Sequence, residues 1–130
     1  VLDKIFIEEL KKRYKNLEII VMVRGGLAIN DATIEDAEEV GLTKIVSVIS
    51  NGTAITGTVK EQLSKEARKY LDSADVIIAK GMGNFESMFE EGINPYYLFL
   101  CKCELFTTRF GVQLFDHIFC KEERLEIKNK

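Results

Sequence analysis

Four short apolar runs punctuate the chain: EIIVMV at 18–23, KIVSVI at 44–49, VIIA at 76–79 and YYLFLC at 96–101. None alternates strictly with polar residues, and each is separated from the next by a stretch of helical character, which predicts strands buried on both faces. Residues 2–14, LDKIFIEELKKRY, place Leu2, Ile5, Phe6 and Leu10 on one helical face with charges opposite. TIEDAEEVG at 33–41 reads as a second helix, with Thr33 and Asp36 as a capping box and Gly41 as its stop. Further helices are predicted over 59–73, 85–90 and 102–110, and a last strand-like segment over 112–119.

Strands alternating with helices predict an α/β protein, a Rossmann-like three-layer α/β/α sandwich with a mainly parallel sheet. The chain of 130 residues is the right size for one domain, residues 1–130. A doubly wound unit ordinarily begins on a strand, because its helix needs a sheet face to cover. This chain opens on a helix, so the first strand of the natural protein is expected to be missing and the sequence to be a fragment of a larger protein.

Composition narrows the partners. A net charge of -3, with basic residues scattered and densest only at Lys11–Lys12–Arg13, argues against a nucleic-acid partner. No apolar run approaches the ~20 residues that span a bilayer, so no membrane partner and a cytoplasmic location are expected. Cys101, Cys103 and Cys120 cannot all pair, and with His117 as the one histidine they are read as free thiols rather than a zinc site.

In open parallel sheets, ligands gather outside the carboxyl ends of the strands. Three loops leave strands there. RGGLAINDAT ends on Asn30 and Asp31; Asp31 either caps the following helix or offers a hard oxygen to a divalent cation. Ser50–Asn51–Gly52–Thr53 is either a plain turn or a small-residue nest able to aim amides and hydroxyls at an anion. Lys80–Gly81–Met82–Gly83–Asn84 fits neither the Walker A loop nor G-x-G-x-x-G. Its lysine either reaches out to water or holds a phosphate as a point charge. Lys102 is a further candidate for the same edge.

The stretches VRGGLAINDATIEDA, VISNGT, ADVIIAKGMGNFES and YYLFLCKC, in this order and across the chain to about Phe119, resemble the damage-control phosphatase family, the ARMT-like group once catalogued as a domain of unknown function. The resemblance is greatest to stand-alone archaeal and bacterial members. It implies a metal-dependent phosphatase that hydrolyses small phosphorylated metabolites, such as sugar phosphates and phosphopantetheine-type esters, with Mn2+, Co2+, Ni2+ or Mg2+ as cofactor. In that family an Asp-Asn pair in a Gly-Asp-Asn-Ala-Gly-Glu type motif binds the metal, and Asp31 matches the second aspartate. Lys80 matches the phosphate-contacting lysine of the Lys-Gly-x-x-Asn motif and Asn84 its asparagine, with Gly81 between them and Ser50, Asn51, Gly52 and Thr53 completing the phosphate edge.

The Asp-Asn motif and the family's helical amino-terminal region are absent, so the other metal ligands are expected before Val1, and the missing amino-terminal part of the same protein becomes an expected partner. The alternative is a non-catalytic phosphometabolite- or nucleotide-binding module. Tyr96, Tyr97, Phe99 and Phe106 are read as packing, His117 as a structural histidine in an apolar segment, Cys101 and Cys103 as small core residues, and Glu35, Asp36, Glu38 and Glu39 as a solvated face. The charged tail, 121–130, is read as frayed.

Overall fold

A computed structural model describes residues 1–125 of the chain; the part of the tail from 126 on lies outside the described residues. The elements follow in the order α1 (Leu2–Arg13), β1 (Ile20–Val23), α2 (Ile34–Glu39), β2 (Ser47–Ser50), α3 (Lys65–Ser73), β3 (Ile78–Lys80), α4 (Met82–Met88), β4 (Tyr96–Leu100), α5 (Glu104–Phe110) and β5 (His117–Lys121). This is an α/β fold with parallel strands. By its contacts the chain divides into two units, Val1–Ile55 with Gln62–Asp72, and Thr56–Glu61 with the residues from Ser73 on.

In the first unit β1 and β2 pair in parallel, Val21 opposite Val48 and Val23 opposite Ser50. Ile7 of α1, Ala37 of α2 and Leu42 are buried together, with Val21, Val40, Ile45 and Val48 packed against them. Asp36 accepts the Thr33 amide at 2.8 Å and closes the expected capping box at the start of α2. Gly41 lies at φ +72°, a left-handed conformation that costs glycine little, and ends that helix.

The expected packing face of α1 is corrected. Leu2, Ile5 and Phe6 are exposed, and Ile7 is the buried residue. The packed side is flanked by lysines: Lys4 Nζ donates to the Val40 carbonyl at 3.0 Å and Lys11 Nζ to that of Ile45.

In the second unit β3 and β4 are parallel and β5 returns antiparallel to β4, with Tyr97 opposite Cys120 and Leu98 opposite Phe119. Phe85 of α4 is the hub of its core. Its ring centroid lies 5.0 to 5.5 Å from those of Phe89, Tyr97, Phe99, Phe106 and Phe110. A phenylalanine buried to this degree contributes about 3 kcal/mol through its area alone.

Other boundaries move as well, β2 to Ser47–Ser50, β3 to Ile78–Lys80 and α4 to Met82–Met88 among them, and two shifts have a cause in the hydrogen bonding. The helix expected over 59–73 is a 3-10 turn at Lys60–Gln62 followed by α3, because Ser64 turns its amide to the Asn51 carbonyl and its hydroxyl to the Ala67 amide. The last strand starts at His117 rather than at 112, since Phe115, at φ +70°, and Asp116 form a turn tied to Cys101. His117 is exposed rather than structural. No described helix is long and apolar enough to cross a membrane.

Candidate functional site

The loop leaving β1 begins on Arg24, whose amide donates to the Ala32 carbonyl at 3.0 Å and whose side chain is buried. Between them the chain turns back on itself: Ile29 takes φ +52° and the Asp31 amide bonds the Ala28 carbonyl at 2.9 Å. This brings Asp31 onto Arg24, with Arg24 Nε donating to Oδ2 at 2.7 Å. Asp31 remains part-exposed, and its backbone lies outside α2, whose capping is done by Thr33 and Asp36.

The loop leaving β2 is knotted by Asn51, which is 1 % exposed. Its Oδ1 accepts the amides of Gly25 at 2.9 Å and Thr53 at 3.0 Å, so one side-chain oxygen joins the loops that follow β1 and β2. Ser50 Oγ accepts the Gly52 amide at 3.0 Å and Thr53 Oγ1 the Ile55 amide at 3.3 Å. The amides of this turn are therefore occupied within the protein, and Asn51 acts as a strut. What the turn has left to donate is hydroxyl hydrogen, from Ser50 and Thr53.

In the second unit Lys80 is the last residue of β3 and is exposed. Gly81 follows at φ +87°, ψ 152°, a conformation essentially confined to glycine, and a Cβ placed on it would meet nothing within 4 Å. Asn84, one turn into α4, folds back so that its Nδ2 donates to the Lys80 carbonyl at 2.7 Å. Its Oδ1 accepts from the Thr58 hydroxyl at 2.8 Å. Lys80, Gly81 and Asn84 are thus brought together at one strand end, while Lys102 stands exposed beyond the end of β4.

Arg24, Thr58 and Ser87 were not singled out from the sequence. Arg24 had one legible signal, its position as the first residue after a buried strand. Thr58 and Ser87 had none, because their partners lie 26 and 29 residues away.

A carboxylate such as Asp31 is the kind of hard oxygen donor that Mg2+ and Mn2+ take. Among the described residues no group of three or more His, Cys, Asp and Glu side chains converges to hold a metal.

A family model described as the damage-control phosphatase ARMT1-like domain matches residues 1–118. An uncharacterised protein of Methanocaldococcus jannaschii is 39 % identical over 125 residues, covering 93 % of this chain and 40 % of that protein. A protein of Archaeoglobus fulgidus named damage-control phosphatase is 36 % identical over 118 residues, 89 % of this chain and 40 % of its own. One of Pyrococcus horikoshii with the same name is 42 % identical over 104 residues, 78 % of this chain and 35 % of its own. The crystal structure of a DUF89 family protein from Pyrococcus horikoshii matches with a TM-score of 0.84 at 36 % identity, over 92 % of this chain and 42 % of that one. The chain spans well under half the length of each of these relatives.

Proposed function

Since the chain belongs to the damage-control phosphatase ARMT1-like family, we propose that it forms part of a metal-dependent phosphatase that hydrolyses small phosphorylated metabolites, sugar phosphates and phosphopantetheine-type esters among them. The observation that carries this reading is the geometry at the end of β3. An exposed lysine stands at the carboxyl end of a strand in parallel pairing, its own carbonyl clamped by Asn84, and the glycine after it leaves the approach open. A lysine so placed is a compact point charge for phosphate.

The roles divide by chemistry. Lys80 neutralises charge on the phosphoryl oxygens as it develops in the transition state. The hydroxyls of Ser50 and Thr53 donate to the same class of oxygen, and the backbone at Gly81 allows close approach. Asp31, oriented by Arg24, serves as one oxygen ligand to a divalent cation. When bound, Mn2+, Co2+, Ni2+ or Mg2+ supplies Lewis-acid polarisation of the phosphoryl group and orients the attacking water.

The test is an assay of the full-length protein against a panel of phosphate esters, with each cation and with a chelator. Release of inorganic phosphate that the chelator abolishes is the expected result. Lys80→Ala is expected to lower kcat by a hundredfold or more, as removal of one preorganised electrostatic contact does. Hydrolysis indifferent to chelator would overturn the metal dependence. Ester binding by calorimetry with no hydrolysis under any cation would replace the enzyme by a phosphometabolite-binding module.

A further inference from the structure

We infer that Thr58 is a positioning residue for Lys80, acting through Asn84; the inference rests on the reading of Lys80 as the phosphate-neutralising group. The Thr56–Glu61 segment belongs to the same unit as β3 and α4. It lies directly on the first turns of α4. A Cβ built on Gly57 would stand 2.5 Å from the Gly83 carbonyl oxygen and 2.5 Å from Ser87 Oγ, so the two backbones approach as closely as glycine allows.

Two hydrogen bonds fix the seat. The Thr58 amide donates to Ser87 Oγ at 2.6 Å, and Ser87 Oγ donates on to the Gly83 carbonyl at 2.8 Å. The Thr58 side chain is buried, and its hydroxyl donates to Asn84 Oδ1 at 2.8 Å. The other end of that amide donates to the Lys80 carbonyl at 2.7 Å. A carbonyl only accepts, so Nδ2 must face Lys80 and Oδ1 must face Thr58. The threonine hydroxyl completes the one orientation in which both ends of the amide are satisfied.

The consequence falls on the peptide plane after Lys80. Its carbonyl is held by Asn84, and its amide, that of Gly81, donates to the Leu98 carbonyl of β4 at 3.0 Å. With both sides of that plane tied, the direction in which the lysine side chain leaves the strand end is set. Without the Thr58 hydroxyl, Asn84 Oδ1 loses its buried donor, and with it the contact that selects the orientation in which Nδ2 faces the Lys80 carbonyl.

The test uses the full-length protein, p-nitrophenyl phosphate as substrate, and a double-mutant cycle between positions 58 and 80. Thr58→Val keeps the shape and removes the hydroxyl. It is expected to lower kcat by ~10- to 100-fold with KM near the wild-type value, the range that small misplacements of a catalytic group produce. Thr58→Ser, which restores the donor, is expected to recover activity to within a few-fold. In the Lys80→Ala background, Thr58→Val is expected to change kcat by less than about twofold, because the group it positions is gone.

Equal fold losses in both backgrounds would mark Thr58 as merely structural and overturn the inference. So would wild-type kinetics from Thr58→Val. Should the valine variant not fold, as judged by circular dichroism, Thr58→Ala carries the same cycle. An inactive wild type would bring down the phosphatase reading and this inference with it, whereas an active wild type with a silent Thr58→Val sinks the inference alone.

Discussion

Arg24 and Asp31 meet at 2.7 Å, Nε to Oδ2, with the arginine side chain 9 % and the aspartate side chain 38 % exposed. The asymmetry sets a prediction. Asp31→Ala leaves a buried guanidinium short of this partner, whereas Arg24→Met leaves a carboxylate that can turn toward water. The aspartate variant is expected to lose about 2 kcal/mol of stability, below the ~3–5 kcal/mol for a fully buried pair, and Arg24→Met to lose less. Urea midpoints of the two full-length variants decide it; the reverse order would show that the aspartate and not the arginine is the dispensable partner.

Asn51 offers a second prediction. Asn51→Ala orphans the Thr53 amide and takes from the Gly25 amide one of its two acceptors, the other being the Thr53 carbonyl at 2.9 Å. An unmet donor costs about 1–3 kcal/mol when buried, and because the Thr53 amide is part-buried a loss of about 1 kcal/mol is expected. Amide hydrogen exchange should speed most at Thr53 and less at Gly25, which keeps the Thr53 carbonyl. Exchange at Thr53 no faster than in the wild type would mean that its amide does not depend on Asn51 for its partner.

These relationships mark where the sequence was legible. The capping box of α2 and the β4 strand were readable because their causes are local, a side chain three residues from its partner or an uninterrupted apolar run. The packed face of α1 is not legible in the periodicity, which records which positions are apolar and not which of them meets Ala37 and Leu42. Residues 59–73 read as one helix because the break at Ser64 is made by the Asn51 carbonyl, a partner the local pattern does not contain. The candidate site divides in the same way. Asp31, Lys80 and Asn84 stand out by residue type at strand ends, while Arg24 and Thr58, which orient them, are visible only once the chain has folded. A left-handed Ile29 is likewise something no β-branched residue announces.

Two glycines separate steric from conformational cost. Gly57→Ala places a methyl against a backbone oxygen at 2.5 Å in addition to φ +82°, and nothing rigid can yield there. Gly81→Ala meets open space but needs a φ and ψ that only glycine holds without strain, at about 1–3 kcal/mol. Gly57→Ala is therefore expected to lower the Tm of the full-length protein further than Gly81→Ala does. Equal shifts would mean that the segment carrying Gly57 can lift from α4 at little cost.

Tyr97 is 0 % exposed, and its hydroxyl donates to Glu122 Oε2 at 2.5 Å, pinning the turn after β5 to the middle of β4. Burial, and then the Glu122 carboxylate, push the phenol above its ordinary value of 10.0. The sign follows from which form the fold prefers. A group whose folded value is raised lends stability that is fully present below the unfolded value and is lost as pH rises beyond it. At neutral pH, Tyr97→Phe is expected to cost about 1–2 kcal/mol, at the lower end for hydrogen bonds to charged groups because Glu122 is part-exposed. Above about pH 10 the unfolded tyrosine ionises and the folded one does not. The wild type then loses stability that the phenylalanine variant has no group to lose. Urea unfolding of the pair from about pH 8 to about pH 11 should show the gap narrowing, and every other titrating residue cancels in the difference. A gap that stays constant through that range would mean the Tyr97 hydroxyl titrates alike in the folded and unfolded chains, and that Glu122 does not hold its proton in place.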